Sequence, residues 1–309
     1  MRPFACFMAA GMLAFAAFSA HAATVAYGEA FDTLYRIDLD ARTATTIGAA
    51  GSYGGASLGN VTGLTSSPDG SLFAVVGSYK LLLQLNATNG GANVIGSLGL
   101  ADSGVGQFGA LDLGMTADCD GKLWLSSAIV KKLWTVDPQS GEATLVGSTV
   151  PAISGLAFRG DALYGAAGKG DNTLYTVDTA SGKATAIGNF GTGIHRWINS
   201  VSMAFDAQGV LWAVLNYVPP QHDTDTQAEW ADLATIDPAT GVVTVLGPIT
   251  GPDSLRYAGM KGFTFGALQC SAEASFPVGA PANTPWALIL LGLLLSMVAW
   301  RSPRRFARR

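Results

Sequence analysis

A short phrase in which apolar and polar residues alternate recurs along the chain. It starts with a segment such as Lys132–Asp137 (KLWTVD), passes through a turn, and ends with a segment such as Ala143–Gly147 (ATLVG). Alternation with a period of two predicts β-strands. The intervening Asp-x-x-Ser/Thr-Gly segment is typical of a tight turn, because Asp bonds to the turn's own backbone and Gly tolerates a positive φ. Each copy therefore predicts one β-hairpin. The five copies begin at Thr33, Leu81, Lys132, Thr173 and Leu233.

A second pair of strands precedes the phrase in most repeats. Its outer member reads like Leu72–Val76 (LFAVV), and its inner member starts with a small residue followed by a hydrophobic one. Four strands per repeat, at spacings of roughly 40 to 60 residues, predict the blades of a β-propeller. Small residues are expected on the innermost strand, because the blades crowd together at the axis. These inner strands start at Gly63, Gly114, Gly155 and Ser202.

The first repeat lacks an inner strand, since only residues 24–27 (TVAY) precede its hairpin. The segment Gly262–Phe265 (GFTF), near the C-terminal end of the repeats, has the missing pattern. We expect it to pair beside Val25–Tyr27, so that the ring closes with no free sheet edge. The sequence therefore predicts an all-β fold over residues 24–270, a five-bladed β-propeller of four-stranded blades whose first blade is closed by the C-terminal strand.

The repeated phrase also resembles a known group of proteins. Leu-Tyr-x-Ile/Val-Asp followed by Thr-x-Ile/Val-Gly is similar to the exported propellers of the NHL, YncE and quinoprotein-repeat superfamilies. The resemblance spans residues 24–268 and is carried by strand and turn residues. It implies the fold, and function does not follow from fold.

Both ends of the chain have the pattern of targeting signals. Residues 1–23 combine a basic start, an apolar run and small residues before Ala23, which is typical of a signal peptide. The uncharged run 286–300 predicts a short transmembrane helix that rises about 22 Å. Residues 301–309 carry five Arg and are expected to form a cytoplasmic tail by the positive-inside rule. The propeller would then lie outside the cytoplasm.

The linker 271–285 carries a second resemblance. Pro281, Pro285 and Trp286, followed by the Leu-rich run and the Arg cluster, resemble sorting signals of the PEP-CTERM and IPTL-CTERM type. That resemblance implies an exosortase-type sorting peptidase as partner, which would remove the helix and release the protein from the inner membrane to the cell surface or the outside. Ala-Asn follows Pro281 where Thr-Leu is usual, and Pro-Glu-Pro is absent. A plain membrane anchor is therefore the alternative.

Propeller geometry indicates where a ligand would bind. The connections from the second to the third strand, and from one blade to the next, emerge on one face, and here they are the long ones. Long loops on a rigid scaffold are the usual seat of binding. Aromatic groups beside polar ones suit a carbohydrate or peptide ligand, whereas a solvated insertion is the alternative. The candidate residues are His195, Arg196, Trp197 and Asn199 in one loop, and His222, Asp223, Asp225 and Trp230 in another.

Candidate chemistry is sparse, and no cofactor is predicted. Asp223 and Asp225 could offer oxygen ligands to calcium, but the sequence departs from the D-x-[DN]-x-[DN]-G pattern. No H-E-x-x-H and no G-x-S-x-G occurs, so a His-based hydrolase is not expected. A propeller glycosidase or lyase, or a metal-dependent lactonase, remains the alternative, because carboxylate pairing is spatial. Asp112 and Asp253 would be its first candidates.

Charge and cysteine usage refine the picture. All 22 acidic residues lie between Glu29 and Glu273 together with 12 basic ones, a net charge of −10 that disfavours nucleic acid as a partner. Once the signal peptide leaves, Cys119 and Cys270 remain in an oxidising compartment and are candidates for a disulfide. The blades that carry them are not neighbours, so the sequence leaves the pairing open. The chain is thus expected to be an exported, envelope-associated, non-catalytic binding or matrix protein.

Overall fold

The computed structural model describes residues 25–100, 111–194, 196–217, 229–252, 255, 258–268 and 270. The predicted signal peptide, linker, transmembrane helix and tail lie outside these residues. Within them, no helix is long and apolar enough to cross a membrane.

The described residues form five four-stranded antiparallel sheets, named here from the inner strand outwards. Blade 1 contains β22 (Gly262–Phe265), β1 (Ala26–Ala30), β2 (Thr33–Asp38) and β3 (Thr43–Ala49). Blade 2 contains β6 (Val61–Ser66), β7 (Leu72–Val76), β8 (Leu81–Leu85) and β9 (Ala92–Ser97). Blade 3 contains β10 (Leu113–Ala117), β11 (Leu123–Ser127), β12 (Lys132–Val136) and β13 (Ala143–Ser148).

Blade 4 contains β14 (Ile153–Arg159), β15 (Ala162–Ala167), β16 (Thr173–Val177) and β17 (Ala184–Asn189). Blade 5 contains β18 (Ile198–Phe205), β19 (Leu211–Tyr217), β20 (Ala231–Ile236) and β21 (Val243–Pro248). The connection from blade 1 to blade 2 contains a two-stranded ribbon formed by β4 (Ser52–Tyr53) and β5 (Ala56–Ser57). We call the face with the connections between blades and between second and third strands the upper face, and the opposite one the lower face.

The closing strand pairs where the sequence predicts. β22 runs antiparallel to β1, with Phe265 opposite Ala26 and Phe263 opposite Gly28. The pairing continues to Glu29 opposite Gly262, so β1 extends three residues beyond the Tyr27 at which the sequence pattern ended. The inner strands contact one another in the closed order β22, β6, β10, β14, β18 and back to β22. The predicted all-β, five-bladed propeller is confirmed.

Glycine is required at the inner ring by close approach of neighbouring blades. A Cβ on Gly63 would lie 2.9 Å from the Cβ of Met115 and 3.2 Å from the carbonyl oxygen of Leu113, both in blade 3. Gly262, Gly114 and Gly155 occupy the same place in blades 1, 3 and 4, and each faces an inner strand of the next blade. Blade 5 has Ser202 instead, and its hydroxyl donates to the carbonyl of Lys261 at 2.8 Å.

Hydroxyl side chains bridge the inner strands. Each inner strand has a blade partner on one side only, so N–H groups on its other edge need an acceptor. The amide of Ala117 donates to Oγ1 of Thr65 at 3.1 Å, and the amide of Val201 donates to Oγ of Ser154 at 2.9 Å. Small and hydroxyl-bearing residues on these strands therefore follow from packing at the axis.

The outer ring is built from the repeated phrase itself. The glycine that ends the phrase in one blade packs against the Asp-x-x-Ser/Thr-Gly turn of the next, as Gly96 does against Ser140 and Gly141. The turn acids cap their own backbone, since Asp137 accepts bonds from the Gln139 amide and the Ser140 hydroxyl, both at 2.9 Å. These bonds lower the pKa of Asp137. The phrase therefore specifies contacts between blades as well as one hairpin.

The lower end of the channel is covered by the segment that follows the closing strand. The amide of Leu268 donates to the carbonyl of Ser67 in blade 2 at 3.3 Å. Two residues later, Cys270 is paired in a disulfide with Cys119 of blade 3, their Cα atoms 5.3 Å apart. Blades 1 and 3 are not adjacent, but their inner strands both flank the narrow axis. A few residues therefore suffice to join them.

Candidate functional site

The structure describes four of the eight sequence-predicted site residues, Arg196, Trp197, Asn199 and Trp230, all on the upper face of blade 5. His195, His222, Asp223 and Asp225 lie outside the described residues, as does Asp253. Whether Asp223 and Asp225 offer oxygen ligands to calcium, which the sequence raised without predicting a cofactor, is therefore untested. Among the described residues, no group of three or more His, Cys, Asp or Glu side chains could hold a metal ion.

Arg196 contacts residues of its own blade, blade 5. Its Nη1 donates to the carbonyl of Glu229 at 2.6 Å, and its guanidinium lies 3.9 Å from the ring centroid of Tyr217. The Tyr217 hydroxyl donates to Oδ2 of Asp232 at 2.6 Å. Burial raises the pKa of Asp232, although the bond from Tyr217 and the charge of Arg196 oppose the shift. Arg196 thus braces the two ends of the long blade 5 loop.

Trp197 combines a fixed position with exposure. A Cβ on Gly170, in the loop between β15 and β16, would lie 2.8 Å from Cη2 of the indole. Gly170 also has a φ of +92°, so glycine is favoured there by both space and backbone conformation. The Trp197 side chain nevertheless remains 47% exposed. Its ring is thus seated against blade 4 and still offers surface to a ligand.

Exposed aromatic side chains of the described residues all lie on the upper face. They are Phe31, Tyr53, Tyr79 and Trp197, each between 42% and 60% exposed. Phe31 and Tyr79 lie between second and third strands, Tyr53 lies in the ribbon, and Trp197 precedes β18. The lower face has instead acid-capped turns, in which Asp118 and Asp206 accept bonds from indole N–H groups of their own blades.

An ion cluster lies at the upper mouth of the channel. Asp112, just before β10, places Oδ2 2.8 Å from Nζ of Lys169 and Oδ1 3.2 Å from Nζ of Lys261. Burial acts to raise the pKa of Asp112, but the charges of Lys261 and Lys169 together outweigh it, and the pKa lies below its ordinary value. Asp112 therefore stays ionised at neutral pH, which does not suit a general acid.

A second carboxyl group near the upper end of the channel, that of Glu29, is fully buried. Glu29 has no exposed surface, and neither of its carboxyl oxygens has a hydrogen-bond partner among the described residues. Burial raises its pKa well above the ordinary value, and the negative charge of Asp32 adds to the shift. Glu29 therefore holds its proton more tightly in the folded protein than an exposed glutamate does.

Sequence reasoning named Asp112 only as a candidate catalytic carboxylate, and it did not single out Lys169, Lys261 or Glu29. One feature of the sequence could have pointed to Lys261, namely its position relative to the closing strand. Lys261 directly precedes β22 as Asp112 directly precedes β10, so the two residues occupy equivalent positions at the mouth. Lys169 follows β15 in a loop whose path could not be read from the alternation pattern.

Comparison with known proteins finds only distant structural similarities. No protein-family model and no curated protein sequence matches the chain. A Bacteroides thetaiotaomicron protein of unknown function is 17% identical over 62% of this chain and 53% of its own, with a TM-score of 0.44, so the chain spans about half the length of that protein. A chain of the nidogen/laminin complex is 13% identical over 80% of this chain and 99% of its own, with a TM-score of 0.49. A TolB-like protein from Agrobacterium tumefaciens is 14% identical, with coverage of 71% and 70% and a TM-score of 0.41. The chain is a five-bladed β-propeller, and these distant similarities carry nothing further about what it binds.

Proposed function

We propose that the chain is an exported, non-catalytic propeller that binds a carbohydrate or protein ligand on its upper face. One observation carries the proposal: the exposed aromatic side chains of the described residues are all on that face. Aromatic side chains are enriched at surfaces that a ligand or partner covers. The lower end of the channel is covered by the segment that leads to Cys270, which favours the upper face further.

The proposal includes export and sorting. Residues 1–23 would direct the chain across the inner membrane, and residues 286–300 would hold it there with the propeller in the periplasm. A disulfide between Cys119 and Cys270 supports an oxidising compartment. The motif at Pro281 and Trp286 would then be read by an exosortase-type peptidase, leaving the propeller at the cell surface or outside.

The sorting step is tested by the mass of the mature protein recovered from cells. Loss of roughly the last 25 residues supports processing at the sorting motif. An intact C-terminus contradicts sorting and supports a membrane-anchored propeller.

The binding proposal is tested with the purified full chain, kept in mild detergent, on a glycan array. Wild type is expected to bind a defined set of glycans, and Trp197→Ala and Tyr79→Ala are expected to weaken that binding at least tenfold without lowering the melting temperature. Leu145→Ala is the matched control, because Leu145 is 54% exposed but lies on an outer strand, away from the upper face. Equal binding by all four proteins would contradict the choice of face.

A further inference from the structure

We propose that Lys169 and Lys261 form a subsite for the carboxylate of an acidic carbohydrate at the upper mouth of the channel, with Trp197 as the adjoining platform for the sugar ring. This inference rests on the proposed function and narrows its ligand to a chain containing hexuronic acid residues.

The subsite is assembled across the axis. Asp112 comes from blade 3, Lys169 from blade 4, and Lys261 from blade 1, which adjoins neither of the other two. Their side chains therefore meet over the channel, and Lys261 also lines the upper part of the channel together with Gly155 and Ser202. A ligand group placed here would contact three blades at once, as expected of a binding site at the centre of a rigid ring.

The spacing of the two ammonium groups already fits a carboxylate. Asp112 bridges them with one oxygen each, at 2.8 Å to Lys169 and 3.2 Å to Lys261. Each ammonium has three N–H donors, and Asp112 is the only side-chain acceptor that either one meets within the described part of the chain. The lysine side chains are about a third exposed, whereas that of Asp112 is nearly covered. The remaining donors are thus open to a second carboxylate from the solvent side.

The charge balance favours an anion at this place. Two lysines and one aspartate give the ion cluster itself a net charge of +1, in a body whose net charge is −10. A local positive site on an acidic surface attracts an anionic group and orients it, while the surrounding charge repels anions elsewhere. Asp112 has two opposite effects, since it holds the lysines in place and its charge repels the ligand carboxylate.

The adjoining aromatic group selects a sugar over a simple anion. Trp197 is seated on Gly170, the residue next to Lys169, and presents nearly half of its surface to solvent. A hexuronic acid has an apolar ring face for the indole and a carboxylate for the lysines. A neutral sugar would use the platform alone, and an acidic peptide would use the lysines alone.

The test is isothermal titration of the full chain with trigalacturonate and with its methyl ester, in which the same sugar carries no charge. Lys169→Met and Lys261→Met are expected to weaken binding of the acid at least tenfold and to leave binding of the ester unchanged. Asp112→Asn keeps a side-chain oxygen that accepts from a lysine and removes the repelling charge, so it is expected to strengthen binding of the acid several-fold, an effect that loss of a structural ion pair would not produce. Lys183→Met removes the same charge from an exposed turn on the lower face and is expected to change the affinity less than twofold.

Several outcomes would overturn the inference. Unchanged acid binding by both lysine variants, with melting temperatures like that of wild type, removes the subsite. Equal affinity of wild type for acid and ester refutes the carboxylate but leaves the proposed binding function standing. Absence of binding to any glycan on the array refutes a carbohydrate as the ligand of the proposed function, along with the subsite. Tighter binding of polyglutamate than of trigalacturonate replaces the carbohydrate with an acidic peptide.

Discussion

Substituting Gly63 by alanine tests the packing of the inner ring. The new Cβ would lie 2.9 Å from Cβ of Met115, 3.0 Å from Cγ2 of Val75 and 3.2 Å from the carbonyl oxygen of Leu113. Favourable carbon contacts lie at about 3.5–4.0 Å, so the closest pair overlaps by roughly 0.6 Å or more. The Cβ of Met115 and the oxygen of Leu113 move only with the backbone of β10, so relief requires blades 2 and 3 to separate.

Overpacking of this kind costs about 1–3 kcal/mol, and the rigid neighbours place Gly63→Ala at about 2–3 kcal/mol. For a domain of this size each kcal/mol lowers the melting temperature by about 2–4 °C, which gives a decrease of about 4–12 °C. Thermal unfolding followed by circular dichroism measures it. Gly193→Ala is the control, since a Cβ there would have no neighbour within 4 Å, and its expected change is within about 0.5 kcal/mol. Equal melting of Gly63→Ala and wild type would refute the close approach of the inner strands.

Two further stability predictions follow from the cysteines and from the buried carboxyl. Cys119→Ser is expected to lower the free energy of unfolding by about 3–5 kcal/mol, because the disulfide closes a loop with a sequence separation of 151. A reductant should lower the melting temperature of wild type but not that of the variant. A wild-type melting temperature that does not respond to reductant would contradict this prediction. Because burial raises the pKa of Glu29, the folded protein holds that proton more tightly than the unfolded chain, so stability decreases as pH rises from about 4.3 towards the folded pKa. Glu29→Gln is therefore expected to melt at a higher temperature than wild type at pH 8 and at the same temperature at pH 4, as measured by thermal unfolding. Parallel pH profiles of the two proteins would contradict this reasoning.

The fold could be predicted because its repeated units leave a local pattern. Alternation identifies the strands, and a small residue such as Gly63 or Gly262 marks each inner strand, since packing at the axis excludes side chains there. The unmatched first repeat then required a strand from the far end of the chain. That prediction held, because an open edge between blades 5 and 1 would leave backbone groups unpaired.

The repeat pattern of the sequence does not predict the irregular features of the blades. Each blade has a bulge between its third and fourth strands, as at Leu34/Tyr35 in blade 1, where Ile47 is left without a partner in the register. The bulge interrupts the strict alternation that identified the strands. In the turn of blade 1, Arg42 takes the place of the recurring glycine, with a φ of +53°, and faces Gly247 of blade 5. A residue that departs from the repeat at the junction of the ring could not be foreseen from the other copies.

From the sequence, the candidate site could be assigned to the upper face and to two of its loops, but the side chains that meet there could not all be identified. Trp197 was identified because an aromatic residue stands beside polar ones in one continuous segment. Lys169 and Lys261 are 92 residues apart and meet Asp112 only because the ring brings three blades to one mouth. Pairing of this kind depends on side-chain reach across the axis, which periodicity does not encode.

The central claim is that the upper face binds the ligand. Hydroxyl-radical footprinting of the full chain, with and without saturating trigalacturonate, measures which side chains the ligand covers. Binding on the upper face predicts protection of Trp197, which is 47% exposed in the free protein, and no change at Leu145, which is 54% exposed on an outer strand. Protection confined to the outer strands or to the lower-face turns, with Trp197 unchanged, would contradict it.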